Sequence, residues 1–198
     1  VTQLTNSSDS PFLTNCSFKG TAQASQDLRG SYTFFRGAKE KFGRGTVAGS
    51  PAEALWNQGG PTDMQKGEIN YVANDALFLT GRFAYVGGGF FLTPAGGLEP
   101  NMIFFDDANL ARFSFYEYKT DRPQYNTQLE ANYFRGRHEV KAGFGYRTTD
   151  VSSTYTVPGN GIITYHDGYP NMIARVAAWN QVTGANGTYV SGFLSDTV

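Results

Sequence analysis

Along much of this chain apolar and polar side chains alternate one for one, and helical spacing of apolar residues is almost absent. Leu77, Leu79, Gly81, Phe83 and Tyr85 occupy every second position, with Thr80 and Arg82 between them. Gly67, Ile69 and Tyr71 alternate with Lys66, Glu68 and Asn70, and Leu129, Ala131 and Tyr133 with Gln128, Glu130 and Asn132. Val140, Ala142, Phe144 and Tyr146 alternate with Lys141, Gly143, Gly145 and Arg147. Leu28, Gly30, Tyr32 and Phe34 do the same with Arg29, Ser31 and Thr33, as do Cys16, Phe18, Gly20 and Ala22 with Ser17, Lys19, Thr21 and Gln23. Successive side chains of a strand point to opposite faces, so each segment has one apolar and one polar face. The pattern predicts an all-β chain. Two further strands are expected near 172–182, where Met172, Ala174, Val176 and Ala178 form the apolar face, and near 188–197, where the face is left open.

The connections fall into two length classes. Ser25-Gln26, Asn74-Asp75, Arg135-Gly136-Arg137 and Gly184-Ala185-Asn186-Gly187 read as tight turns. The segments 37–62, 87–109 and 151–170 read as long loops rich in Gly, Pro, Asn and Asp. Compact soluble domains seldom mix the two so regularly, whereas transmembrane β-barrels do so by construction. If all tight turns share one end, the strands must run alternately up and down. The set 16–24, 27–36, 63–73, 76–86, 124–134, 139–150, 172–182 and 188–197 meets that condition. The alternating stretch 111–118 does not fit it and is assigned to a hairpin projecting from the outer rim. Tyr71 and Tyr133 precede tight turns, and Tyr85 and Tyr146 follow them by about ten residues, which at barrel tilt spans the ~25 Å between two aromatic girdles.

Composition narrows the field. The chain has 198 residues, enough for one domain with a sizeable core, and 15% of them are aromatic. That content, with only 17% charged residues, tells against disorder. A net charge of −1 leaves no electrostatic footprint for nucleic acid. A single cysteine, Cys16, excludes an internal disulfide framework, and two histidines, His138 and His166, do not make a histidine-rich metal centre. No apolar run approaches the ~18 residues of a spanning helix. The chain opens on Val1 without an initiator methionine or leader pattern, as expected for a mature product or a piece of something longer.

The segment Phe134-Arg-Gly-Arg-His-Glu-Val-Lys-Ala-Gly-Phe-Gly-Tyr-Arg147 resembles a mid-barrel hairpin of TonB-dependent outer-membrane transporters, most closely the large Oar-like receptors with an N-terminal carboxypeptidase-regulatory-like domain. Lys41-Phe-Gly-Arg-Gly45, Asp75-Ala-Leu-Phe-Leu-Thr-Gly-Arg-Phe83, Asp121-Arg-Pro-Gln124 and Gly192-Phe-Leu-Ser-Asp-Thr197 support the likeness in chain order. The resemblance implies an antiparallel, up-and-down transmembrane β-barrel segment of about 8 strands, from a barrel of about 22, in the bacterial outer membrane. Residues 1–198 would then be a partial barrel domain without plug or N-terminal domain. Its implied partners are outer-membrane lipid, the plug and remaining strands of a longer protein, and the TonB complex through regions not in this sequence. The implied function is uptake of a scarce nutrient of siderophore, carbohydrate or peptide class.

Chemistry-bearing motifs are few. Gly87-Gly88-Gly89 lacks the layout of a phosphate loop and reads as a bend at the start of a loop. Asp106-Asp107, Asp150 and Asp167 lack EF-hand spacing and read as solvated loop acids. His166-Asp167 has no nucleophile in a recognisable setting, so no catalytic residue, cofactor or metal is expected, and the chain is not read as an enzyme. His138 reads as a polar residue at the membrane rim. Lys66, Glu68, Asn70, Arg82, Glu130, Asn132, Lys141 and Arg147 are expected to face the lumen, where they line a path, contact a plug, or supply the polarity of any barrel interior. Trp56, Phe90, Phe91, Phe104, Phe105, Tyr165 and Tyr169 are the aromatic candidates for ligand contact in the outer loops. Two other classes stay open: a complete eight-stranded outer-membrane barrel with an adhesive or structural role, and a secreted carbohydrate-binding β-sandwich.

Overall fold

The computed structural model describes residues 10–45, 51–98, 103–112, 116–166, 169–175 and 180–198. Its strands are β1 (Ser10–Gln23), β2 (Leu28–Arg44), β3 (Trp56–Asn74), β4 (Leu77–Pro94), β5 (Ile103–Phe105), β6 (Ala111–Arg112), β7 (Glu117–Asp121), β8 (Gln124–Arg135), β9 (His138–Thr156), β10 (Gly161–His166), β11 (Tyr169–Arg175) and β12 (Asn180–Thr197). The main sheet is an antiparallel meander, in the order β1-β2-β3-β4, then β7 and β8, then β9-β12. β7 and β8 keep one register: Asp121 and Gln124 face Gly89 and Val86 on β4, and Ser152 and Thr149 on β9. They form one through-strand, interrupted where Pro123 has no N–H to donate. Arg122 N–H bridges the break to Gly88 O (2.7 Å), and Asp150 N–H to Pro123 O (3.1 Å). A smaller sheet, β11-β10-β5-β6, stands apart, with β5 and β10 parallel.

The three turns at 24–27, 75–76 and 136–137 lie at one end of the meander, as the parity argument requires. Gly136 takes the left-handed conformation (φ 63°) that a tight hairpin needs. The fourth expected turn does not form. β12 runs straight through Gly184–Gly187, which pair with Ser152–Thr149 of β9; with β7 and β8 counted as one through-strand, the main sheet has seven strands among the described residues. Turn-forming residues can be carried inside a strand when an unbroken ladder and cross-strand neighbours outweigh local preference. Asn186 is held there by its side-chain amide, which faces the Asp150 carboxylate. Of the strand expected near 172–182, the part up to Arg175 belongs to β11 in the smaller sheet, and 176–179 lie outside the described residues.

The long loops are shorter than expected, because β2, β3, β4 and β9 run on to Arg44, from Trp56, to Pro94 and to Thr156. Alternation marks where the two faces differ in polarity, and the backbone ladder continues beyond it. The stretch 111–118 is divided: Ala111–Arg112 pairs antiparallel with Phe104–Phe105 as the second arm of a hairpin in the smaller sheet, Glu117 opens β7 in the main one, and 113–115 lie outside the described residues. Gly87-Gly88-Gly89 is not a bend but the middle of β4, where a Cβ on Gly89 would sit 2.0 Å from Thr120 O. A sizeable core is also missing among the described residues. Their buried hydrophobic side chains are Leu55 and Leu92, with Pro158 fully enclosed.

Candidate functional site

Cross-strand register sorts the main sheet into two faces. One carries Ile69, Tyr71, Leu79, Phe83, Leu129, Tyr133, Phe144, Tyr146 and Val190, all between 37% and 59% exposed. A single row across it reads Ala22, Gly30, Ile69, Gly81, Leu129, Phe144, Gly192. Toward the turns the face ends in Tyr71 and Tyr133; toward the loops it ends in the cross-strand pair Tyr85 and Tyr125, ring centres 5.2 Å apart. A shallow groove of about 620 Å³ lies on this face over Gly81, Ala131 and Ala142, between Leu79, Leu129 and Phe144.

The other face is polar, and it brings together all eight side chains expected to point that way. Glu68 and Arg82 are direct partners across β3 and β4, and Arg82 partners Gln128 across β4 and β8. Arg82 Nε donates to Glu68 Oε2 (3.0 Å) and Nη1 to Glu130 Oε1 (2.8 Å), while Lys66 Nζ stands 3.5 Å from the same Glu68 oxygen. Asn70 Nδ2 donates to Glu68 Oε1 (3.1 Å) and Thr80 Oγ1 to Asn70 Oδ1 (2.9 Å). Two cations and two carboxylates thus cancel over three strands. Asn132 and Lys141 are cross-strand partners below the ladder, and the Asn132 Oδ1 is buried with no hydrogen bond. Arg147 stands apart from it: its guanidinium lies over the Tyr189 ring, 5.4 Å from the centroid.

The loop end of the polar face holds what core there is. Trp56 Nε1 donates to Tyr116 O (2.7 Å), and the two rings meet edge to face at 5.0 Å. Tyr118 stacks between Tyr155 (4.5 Å) and Phe90 (5.4 Å), and Arg122 lies over Phe90 at 5.7 Å. Tyr118 Oη donates to Ser153 Oγ (3.2 Å), which donates to Thr120 Oγ1 (3.0 Å), and Arg122 Nε donates to the same Thr120 oxygen (3.3 Å). The Ser153 hydroxyl, backed by Thr120 and Arg122, holds the Tyr118 phenol below the usual range. Burial holds the neighbouring Tyr116 phenol above it.

Of the seven loop aromatics, Trp56 and Phe90 are therefore half-buried in this cluster and are not an exposed ligand surface. Phe91 is 41% exposed on the apolar side, over Gly59, and Tyr169 is 76% exposed on β11. Phe105 is half-buried on β5; for Phe104 on β5 and Tyr165 on β10 only the backbone is described. Asp106 is a turn residue, its Oδ1 accepting from Ala108 N–H (3.0 Å) and Leu110 N–H (2.9 Å). His138 Nδ1 lies 2.8 Å from Asp196 Oδ2 and ties β9 to β12 at the turn end.

Sequence reasoning missed Asn126, Gln128, Tyr189 and Ser191, which line one cleft with Arg147. The first two follow from the same period-two count that selects Glu130 and Asn132. The last two sit on the strand whose face the pattern left open.

Comparison with known proteins gives no match: no family model, no curated protein and no solved structure is similar to the chain.

Proposed function

We propose that this chain is part of a bacterial outer-membrane β-barrel of the transport class, a TonB-dependent receptor that binds a scarce nutrient and passes it inward. One observation carries the membrane part of the reading: the apolar face of the meander is continuous over all its strands and exposed, with tyrosines at both ends. In water a continuous exposed apolar face is one that monomeric proteins seldom carry. Against lipid it is the outward band of a barrel between its aromatic girdles. The charge-balanced ladder on the opposite face suits an interior wetted by water or covered by a plug, and the turn and loop ends take the periplasmic and outer sides.

The secreted sandwich is the weaker reading, since it needs a second sheet over the apolar face, and that face is exposed. The transport step itself rests on the resemblance described above. The deciding experiment is refolding into detergent micelles and phospholipid vesicles, with protease protection of the turns. The reading predicts a sheet that forms only with detergent or lipid. A monodisperse, folded protein in buffer alone would refute it.

A further inference from the structure

A second polar cleft, of about 390 Å³, lies on the polar face beside the ladder, at the low end of the ~300–1,000 Å³ typical of small-molecule sites. Two cross-strand rows build it: Asn126, Arg147 and Tyr189 in one, Gln128, Gly145 and Ser191 in the next, on β8, β9 and β12. Gly145 keeps the middle open, since a Cβ there would come within 2.6 Å of Ser191 Oγ. In the next row toward the turns the Phe193 ring lies over Gly143. The Arg147 guanidinium is steadied by the Tyr189 ring, and among the described residues it makes no ion pair. No carboxylate lines the cleft, in contrast to the neutralised Lys66, Glu68, Arg82 and Glu130 next to it.

From this arrangement we infer that the cleft binds a carboxylate-bearing, polyhydroxylated ligand of the acidic-sugar class. A guanidinium is a planar fork that takes a carboxylate through two parallel hydrogen bonds. Two primary amides and a hydroxyl each offer both donor and acceptor, the set that vicinal hydroxyls require. Tyr189, 56% exposed, presents a flat apolar face with a polar rim for the C–H face of a pyranose ring. A lone cation among amides selects negative charge; the amides and ring select the hydroxylated scaffold.

The inference rests on the polar face and not on lipid around the other, so it stands or falls separately from the membrane reading. The test is titration of the whole chain with tetragalacturonate, maltotetraose and citrate, by calorimetry or ligand-observed NMR. It is run in detergent micelles, or in buffer should the sheet fold there, which would refute the membrane reading alone. Tetragalacturonate is expected to bind at least tenfold more tightly than maltotetraose, a neutral α-1,4-linked tetrasaccharide, and than citrate, which lacks the ring. Arg147→Gln should remove the preference for acid over neutral sugar, Arg147→Lys should reduce it by keeping the charge and losing the fork, and Tyr189→Ala should weaken the sugar and leave citrate unchanged. Because Arg147 and Tyr189 are at the surface, sheet content by circular dichroism should match the parent, and Gln128→Ala gives a second, smaller loss. Equal binding of acidic and neutral sugars, or unchanged tetragalacturonate binding in Arg147→Gln, would overturn the inference.

Discussion

Arginine placed in turn at each position of β8 provides a sharp test of the two faces. On its apolar side β8 presents Tyr125, Thr127, Leu129, Ala131 and Tyr133, and on its polar side Asn126, Gln128, Glu130 and Asn132. Leu129 is equidistant in sequence from the two tyrosines. Eight residues at ~3.3 Å each separate those rings by about 27 Å along the strand, or about 20 Å along the normal at a tilt near 40°. Leu129 is then at the middle of the band, in the row with Ile69, Gly81 and Phe144. Leu129→Arg should cost about 2–4 kcal/mol, the value for a cation at the bilayer midplane. Thr127→Arg and Ala131→Arg, about 5 Å off centre by the same geometry, should cost less, and Tyr125→Arg and Tyr133→Arg about 0–1 kcal/mol as charge, beyond the lost ring. Asn126→Arg and Gln128→Arg, facing the other way, set a second cation opposite Arg147 and Arg82 and should cost about 0.2–1 kcal/mol, still well below Leu129→Arg.

The expected profile is a sawtooth of period two under a bell centred on Leu129. Equilibrium urea unfolding from phospholipid vesicles, followed by tryptophan fluorescence, measures it. The contrast with water is large, because Leu129 is 54% exposed in the isolated sheet and an arginine there would be nearly free in a soluble protein. A flat profile, or one in which the even positions are the costly ones, would refute the assignment of faces.

Further expectations follow from particular contacts. Gly89→Ala should cost about 1–3 kcal/mol by pushing β7 from β4, since the new Cβ would stand 2.0 Å from Thr120 O; Gly67→Ala, with nothing within 4 Å, should be harmless in the same thermal melt. Arg82→Met leaves Glu68 and Glu130 facing each other without their shared cation, and should cost about 1 kcal/mol at low salt and less at high salt, because these side chains are 24% to 30% exposed. In an alkaline titration read by phenolate absorbance, Tyr118 should ionise before an ordinary tyrosine and Tyr116 after it, with Tyr→Phe variants assigning each step. The signs differ. Tyr118, with its folded value depressed, adds stability that is present above the ordinary phenol pKa of about 10 and is lost as pH falls through the folded value. Tyr116, with its folded value raised, gives stability that is full below that pKa and is lost as pH rises through the folded value.

The turn-side half of the sheet was legible in the sequence because one physical constraint writes it twice. A strand with unlike faces must alternate, and a meander with turns at one end must keep parity, so β2, β3, β4, β8 and β9 could be located and eight polar residues of the last four placed on one face. Three things resisted the same logic. Gly184-Ala185-Asn186-Gly187 has the composition of a turn, and only the pairing with β9 makes it strand. The ends of β2, β3, β4 and β9 carry no alternation, because beyond the Tyr85–Tyr125 pair both faces are of mixed polarity. The aromatic cluster of Trp56, Tyr116, Tyr118, Tyr155 and Phe90 draws on four separate segments, so no local count could tell packed rings from exposed ones.

The strand count changes what the edges imply. β1 and β12 are the outer strands of the main sheet. In a meander of seven strands the first and last run in the same direction, so closing this sheet on itself requires a parallel seam. An eight-strand set would have closed antiparallel, as single-chain bacterial barrels with even strand numbers do. If the sheet spans a bilayer as proposed, leaving either edge unpaired is costly, because each unsatisfied backbone group in hydrocarbon costs several kcal/mol. Continuation by an odd number of further strands satisfies both edges and keeps every pair antiparallel. Disulfide scanning between the edges distinguishes the two arrangements. Thr21 and Ser191 share one cross-strand row through Ser31, Glu68, Arg82, Gln128 and Gly145. A closed barrel is sheared, so its seam would offset that row by several residues, and Thr21→Cys has to be tried against cysteines at Ser191, Gly187 and Thr183 in turn, with the native Cys16 replaced by serine. Continuation predicts no efficient intramolecular cross-link in vesicles for any pair. One pair that closes in high yield within a monomer would establish a parallel seam and rule out the need for further strands.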